Sequence, residues 1–115
     1  MISNQRVERT RNIIQNKGKL MSVYFLAEIE EINDVAMYQE YVERAAPIIT
    51  KFGGKYLIKS EKLETITKDW CLIRIILIEF ENKSKLKHCF QSEEYKKIKH
   101  LRENSVKSKA VIIEQ

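Results

Sequence analysis

From Ser22 to Ile32 the chain reads SVYFLAEIEEI, and residues change face at every step. Val23, Phe25, Ala27 and Ile29 fall on one side and Tyr24, Leu26, Glu28 and Glu30 on the other, the period of two that marks a strand. The period then lengthens. Val35, Tyr38, Tyr41, Val42, Ala45, Ile48, Ile49 and Phe52 recur at spacings of three and four, which predicts an amphipathic helix. Asn33-Asp34 supplies a cap for its start. Pro47 lacks an N–H and crowds the preceding turn, so a kink or restart is expected there. Gly53-Gly54 ends the helix where a positive φ is wanted.

A second strand is predicted over about Lys55 to Thr67, a turn at Lys68-Asp69, and a third strand from Trp70 to Phe80. Asn82 to Ser84 caps a second helical region containing Leu86, Cys89 and Phe90. Ser92 offers a fresh N-cap, with Glu93 and Glu94 in the first turn where the helix dipole favours anions. Tyr95, Ile98 and Leu101 continue the apolar stripe, and Ala110 to Glu114 forms a last short strand. The order β-α-β-β-α-β predicts an α+β, ferredoxin-like domain with a four-stranded antiparallel sheet.

The third strand, CLIRIILIEF, is apolar on both faces. Ile73, Ile75 and Leu77 are expected to meet the helices, leaving Leu26, Ile58, Ile76, Ile78 and Phe80 on the opposite side. That is too much aliphatic surface to leave in water, and both helices are already used. The economical cover is a second copy of the sheet, which predicts a homodimer closing into an α/β barrel. Arg74 and Glu28 are assigned to this same covered face, as neighbours on adjacent strands. A buried charge needs a partner, so they are read as a cross-strand pair. Such a pair either fixes sheet register or orients a small acidic or enolisable ligand. Tyr24 and Tyr56 share that face by alternation, and Trp70 sits at the strand's start, plugging the barrel end or stacking on a ligand. Tyr24, Glu28, Tyr56, Trp70 and Arg74 are therefore the candidate ligand-binding residues; no catalytic residue is assigned. Glu94 and Arg102, eight apart on one helix face, are read as solvated or as tying that helix to its neighbours.

Charge changes the picture less than it first promises. The 115 residues carry a net +5, but residues 1–20 hold Arg6, Arg9, Arg11, Lys17 and Lys19 against Glu8 alone, a net +4. Only +1 is left for the rest, so a basic surface for nucleic acid is not a property of the domain. The first twenty residues are read as a poorly anchored basic extension, or as untranslated sequence ahead of a start at Met21; the domain proper is 21–115. No apolar run reaches the roughly 20 residues of a spanning helix, so no membrane partner is expected. Cys71 and Cys89 lack metal-ligand spacing and read as free thiols in a reducing cytoplasm. His88 and His100 have no carboxylate or cysteine at ligand spacing, and neither a metal nor another cofactor is expected. The aliphatic third strand also lacks the aromatic signature of an RNA-recognition motif, which shares this element order.

Several pieces together resemble a known family: YFLAEIE, Tyr38 and Tyr41, Pro47, GGKYL at Gly53 to Leu57, Trp70, Arg74, IEF at Ile78 to Phe80, SEEY at Ser92 to Tyr95, Arg102, Ser105 and the closing IIE. They resemble the DUF-thirteen-thirty group of the dimeric α/β-barrel superfamily, over Met21 to Glu114. Glu93, Cys89-Phe90, Ser60-Glu61 and Leu72 depart from the family pattern. The resemblance implies a homodimer and no established reaction. The superfamily contains oxygenases, isomerases and haem proteins, which leaves two function classes. One is a dimeric small-molecule binder, extending to a cofactor-independent enzyme; the other is a non-enzymatic structural or regulatory module.

Overall fold

A computed structural model of the chain describes residues 22–115; the expectation for the first twenty residues lies outside that range. The elements are β1 (Val23–Ile32), α1 (Val35–Lys51), β2 (Lys55–Ser60), β3 (Arg74–Phe80), α2 (Lys83–Phe90), α3 (Glu93–Glu103) and β4 (Val106–Glu114). The sheet order is β2-β3-β1-β4, with each neighbouring pair antiparallel. This is the ferredoxin-like α+β arrangement that the pattern predicts.

Local chemistry sets the helix ends. Asp34 Oδ1 accepts from the Met37 N–H at 3.0 Å, Asn82 Oδ1 from Lys85 at 2.9 Å and Ser92 Oγ from Tyr95 at 3.1 Å. Each side chain satisfies one of the orphan donors of a first helical turn. The Ser92 cap splits the second helical region into α2 and α3. Helix α1 runs through Pro47 without a break. Beyond it, Gly53 takes φ 90° and Gly54 N–H reaches the Ile49 carbonyl at 2.8 Å. At Gly54 the reason for glycine is space: a Cβ there would stand 2.5 Å from Ile49 Cγ2 and 2.9 Å from Phe80 Cζ.

Two expected strands are shorter than their patterns. Strand β2 stops at Ser60, whose Oγ accepts from the Lys62 N–H, and β3 begins only at Arg74. The intervening residues 61–73 form a loop that turns at Lys68-Asp69, with Asp69 at φ 61° and Ile66 almost wholly exposed. Alternation in KLETIT therefore makes no strand: the last β2–β3 pair is Ser60 with Ile75, and beyond it the ladder has no partner.

The faces of β3 are the reverse of those expected. In the β1–β3 register Val23 lies opposite Phe80, Phe25 opposite Ile78, Ala27 opposite Ile76 and Ile29 opposite Arg74. Residues directly opposite share a face. Phe80 and Ile78 belong to the buried cluster with Ala45, Ile49, Leu86, Cys89, Tyr95, Ile98 and Leu101 from all three helices. Arg74, Ile76, Ile78 and Phe80 thus meet the helices, and Ile73, Ile75 and Leu77 point away. The outer face carries Leu26, Ile75 and Leu77, with Ile58 46%, Ile73 41%, Val111 52% and Ile113 37% exposed. All three helices pack on the other side. The sheet is apolar on both faces, as the sequence argument held, with Leu26 and Ile58 outside as expected but Ile75 and Leu77 there in place of Ile76, Ile78 and Phe80.

Candidate functional site

Between sheet and helices the core is not filled. A cavity of about 290 Å³ lies between the Phe80 cluster and a smaller one of Ile29, Tyr38 and Val106. Its origin is residue size. Ala27 and Ala110 from the sheet, Ala45 and Ala46 from α1, and Ser108 from β4 line it. Larger side chains at these positions would close the gap to the usual packing density. Phe25, Ile76, Ile78 and Phe90 give the cavity an aliphatic and aromatic wall. The exposed side chains of Lys59 and Lys99 also line it, so it reaches the surface.

Four of the chain's five tyrosines project into this space: Tyr38 and Tyr41 from α1, Tyr56 from β2 and Tyr95 from α3. Helical spacing puts the first two on one face of α1, their rings 6.2 Å apart. Tyr41 Oη and Tyr95 Oη lie 2.7 Å apart, and the Arg102 Nε–H donates to Tyr95 Oη at 3.2 Å. At the other end the Arg74 guanidinium lies 5.9 Å from the Tyr38 ring centre. One of its NH groups donates to Glu61 Oε1 at 3.0 Å, at the start of the loop. Two donors are left over: Tyr38 Oη and Arg74 Nε are buried and have no hydrogen-bond partner among the described residues. Such orphans are rare and costly in a folded protein.

Burial favours the neutral form of three of these phenols. Desolvation raises Tyr38, and pushes Tyr56 up to about 12. It also raises Tyr41, with the adjoining Tyr95 adding to the effect. Burial likewise lifts the Cys89 thiol to about 11. Among the described residues no Asp, Glu or His lines the cavity. At neutral pH the site is therefore a set of donors and cations: it can bind and polarise an anion, but lacks a side chain that readily takes up a proton. Among the described residues no group of three or more His, Cys, Asp or Glu is arranged to hold a metal ion.

The raised phenols have a consequence for stability. In the unfolded chain Tyr56 ionises near its ordinary 10.0, whereas in the fold it waits until about 12. The unfolded state then binds fewer protons across that window, so stability is complete below 10 and falls as pH rises toward 12. Urea midpoints at pH about 9 and about 11 should show this loss, and Tyr56→Phe should reduce it. Equal pH sensitivity in both proteins would contradict the assignment to Tyr56.

Of the residues singled out in the sequence, the structure brings Tyr56 and Arg74 to the cavity. Tyr24 and Glu28 lie on the outer face, opposite Glu79 and Ile75 of β3. The Glu28–Arg74 pair is therefore corrected: the two side chains leave opposite sides of the sheet, and Arg74 pairs with Glu61. Tyr24 and Tyr56 do not share a face either, because β2 has an irregularity between Tyr56 and Ile58 and Tyr56 lies opposite Ile78. Trp70 stands on the loop, 43% exposed, and does not line the cavity. Sequence reasoning overlooked Tyr38, Tyr41, Tyr95 and Arg102. The available signal was spacing: Tyr95 and Arg102 are seven apart, two turns along one face of α3. Glu94, by contrast, does tie α3 to a neighbour, accepting from Lys51 of α1 with both oxygens at 3.0 and 2.9 Å.

Comparison with known proteins agrees with this architecture. A protein of unknown function from Rhodopseudomonas palustris superposes with a TM-score of 0.69 at 12% identity, over 94% of this chain and 92% of that one. SnoaB, a cofactor-independent oxygenase from Streptomyces nogalater, gives 0.62 at 10% identity, over 81% and 91%. A dabb family protein with a ferredoxin-like fold from Mesorhizobium loti gives 0.59 at 10%, over 79% and 93%. No curated protein matches the chain. Residues 22–115 match the family described as Domain of unknown function (DUF1330). That match spans every strand and helix described above, including those that bring Tyr38, Tyr41, Tyr95, Arg74 and Arg102 to the cavity: the chain belongs to the DUF1330 family.

Proposed function

We propose that this protein is a homodimer that binds a small organic acid in the cavity between its helices and its sheet. One observation carries the reading: Tyr38 Oη and Arg74 Nε are buried, unpartnered donors at a cavity with an apolar, aromatic wall. A carboxylate accepts from both a phenol and a guanidinium, which would settle two orphaned groups at once. The cavity is at the small end of ligand sites, suited to a molecule of about one or two rings.

The same fold serves a cofactor-independent oxygenase, SnoaB, and catalysis without a cofactor is the enzymatic form of this proposal. The second reading, a non-enzymatic binding or regulatory module, is favoured by a lining that, among the described residues, holds no carboxylate or imidazole. In both, the dimer forms through the open sheet face, whose Ile58, Ile73, Val111 and Ile113 would otherwise stay in water. A reducing cytoplasm is the proposed compartment, because Cys71 and Cys89 are unpaired and Cys71 is exposed.

Thermal shift with matched acids and amides tests the binding. Benzoate should raise the Tm and benzamide, of the same shape without the charge, should not. Equal stabilisation by the two would remove the argument from Arg74 and Tyr38.

A further inference from the structure

The Tyr41–Tyr95–Arg102 chain holds one donor more than it uses. A guanidinium only donates, so the Arg102 bond to Tyr95 Oη runs in one direction. A single proton joins the two phenols across 2.7 Å. If Tyr95 gives that proton, the Tyr41 O–H is unspent; if Tyr41 gives it, the Tyr95 O–H is. Either way one phenolic hydrogen remains at the end of a chain polarised by a half-buried guanidinium, and both tyrosines line the cavity. The cavity therefore has two donor stations, this one and the Tyr38–Arg74 pair.

We infer that the ligand is a conjugated hydroxy or oxo acid, its carboxylate held by Arg74 and Tyr38, and that the Tyr41–Tyr95–Arg102 chain binds its second oxygen as an enolate or phenolate. The inference rests on the cavity being the acid-binding site. A neutral hydroxyl would meet donors and, among the described lining residues, no carboxylate or imidazole to accept its own proton, whereas an anionic oxygen accepts from the unspent O–H. The aromatic wall suits a flat body joining the two oxygens. Ionisation on binding breaks the ligand's O–H bond, leaves the electron pair on oxygen and sends the proton to water.

A probe with both groups reports this directly. The phenol of 4-hydroxy-3-nitrobenzoate is coloured only when ionised, so absorbance against pH gives its pKa free and bound. Among the described residues the other charged or titratable groups facing it are Tyr38 from α1, Tyr56 and Lys59 from β2, Arg74 from β3 with its partner Glu61, and Lys99 from α3. These cations also favour an anion, so variants must isolate the chain. Bound to the unaltered protein, the probe should ionise at least tenfold more readily, a shift of about one pKa unit. The shift should vanish in the Tyr41→Phe/Tyr95→Phe double variant and shrink in Arg102→Met, while benzoate still binds both through Arg74. Arg102→Met keeps both phenols and gives an answer should the double variant fail to fold. An unshifted probe with benzoate still bound would overturn the inference and leave the acid site standing. A shift that persists in the variants would also overturn it, since the other cations would then be its source. Binding of neither molecule would remove the acid site itself.

Discussion

Arg74→Met is expected to weaken binding of small organic acids about 100-fold while leaving the free protein as stable as before. The two halves have one physical cause. The Arg74 side chain is 17% exposed, but its ion-pair partner Glu61 is 68% exposed, so the pair reaches water. Exposed pairs of this kind contribute about 0–1 kcal/mol. Against that gain stands the buried Nε without a partner, an omission that costs about 1–3 kcal/mol. Methionine removes both and packs against the apolar wall. In the complex the balance reverses, because a buried, hydrogen-bonded charge pair loses about 2–5 kcal/mol when one member is truncated. Urea denaturation and benzoate titration of the same variant check the two halves. A loss of about 3–5 kcal/mol in stability would instead mark Arg74 as half of a structural buried pair. Glu28→Gln should change neither quantity appreciably, and its effect should simply add to that of Arg74→Met, since the residues occupy opposite faces.

Leu77→Asp is expected to abolish the dimer. Leu77 sits in central strand β3 on the outer face, opposite Leu26, among Ile58, Ile73 and Val111. In the proposed dimer a carboxylate there would be buried against a second apolar sheet. In the single chain the same position borders water, so the variant should persist as a folded monomer in sedimentation at micromolar concentration. Ile76→Asp, one residue away, is the control for the faces. Ile76 lines the cavity, so its replacement should impair ligand binding and folding before association. A Leu77→Asp protein that still sediments as a dimer would place the interface elsewhere.

Element order, caps and the glycine stop at Gly53 were legible because each depends on neighbours in the chain. The phase of CLIRIILIEF was not, because a strand apolar on both faces has no alternation to read. The one usable mark was Glu79, an acid in step with Ile73, Ile75 and Leu77, which belongs on the side away from the helices. Arg74 was placed with Ile76 and Ile78 on the side away from the helices, and a charge in a helix-covered core is ordinarily costly. The cavity answers that objection: alanines at 27, 45 and 46 leave room for the guanidinium, and alternation does not report missing volume. The tyrosines were overlooked for a related reason. On an amphipathic helix Tyr38, Tyr41 and Tyr95 satisfy the apolar stripe, and only the fold shows their hydroxyls converging on one space.

The most direct measurement is the nitrogen-15 NMR signal of the Arg74 Nε–H during titration with benzoate. In the free protein this N–H is buried and has no hydrogen-bond acceptor. On saturation its proton should move downfield as the carboxylate accepts from it, in step with the Tm increase, and Arg74→Met should remove both the signal and the benzoate-dependent stabilisation. An Arg74 resonance that stays in place while benzoate binds would contradict the account.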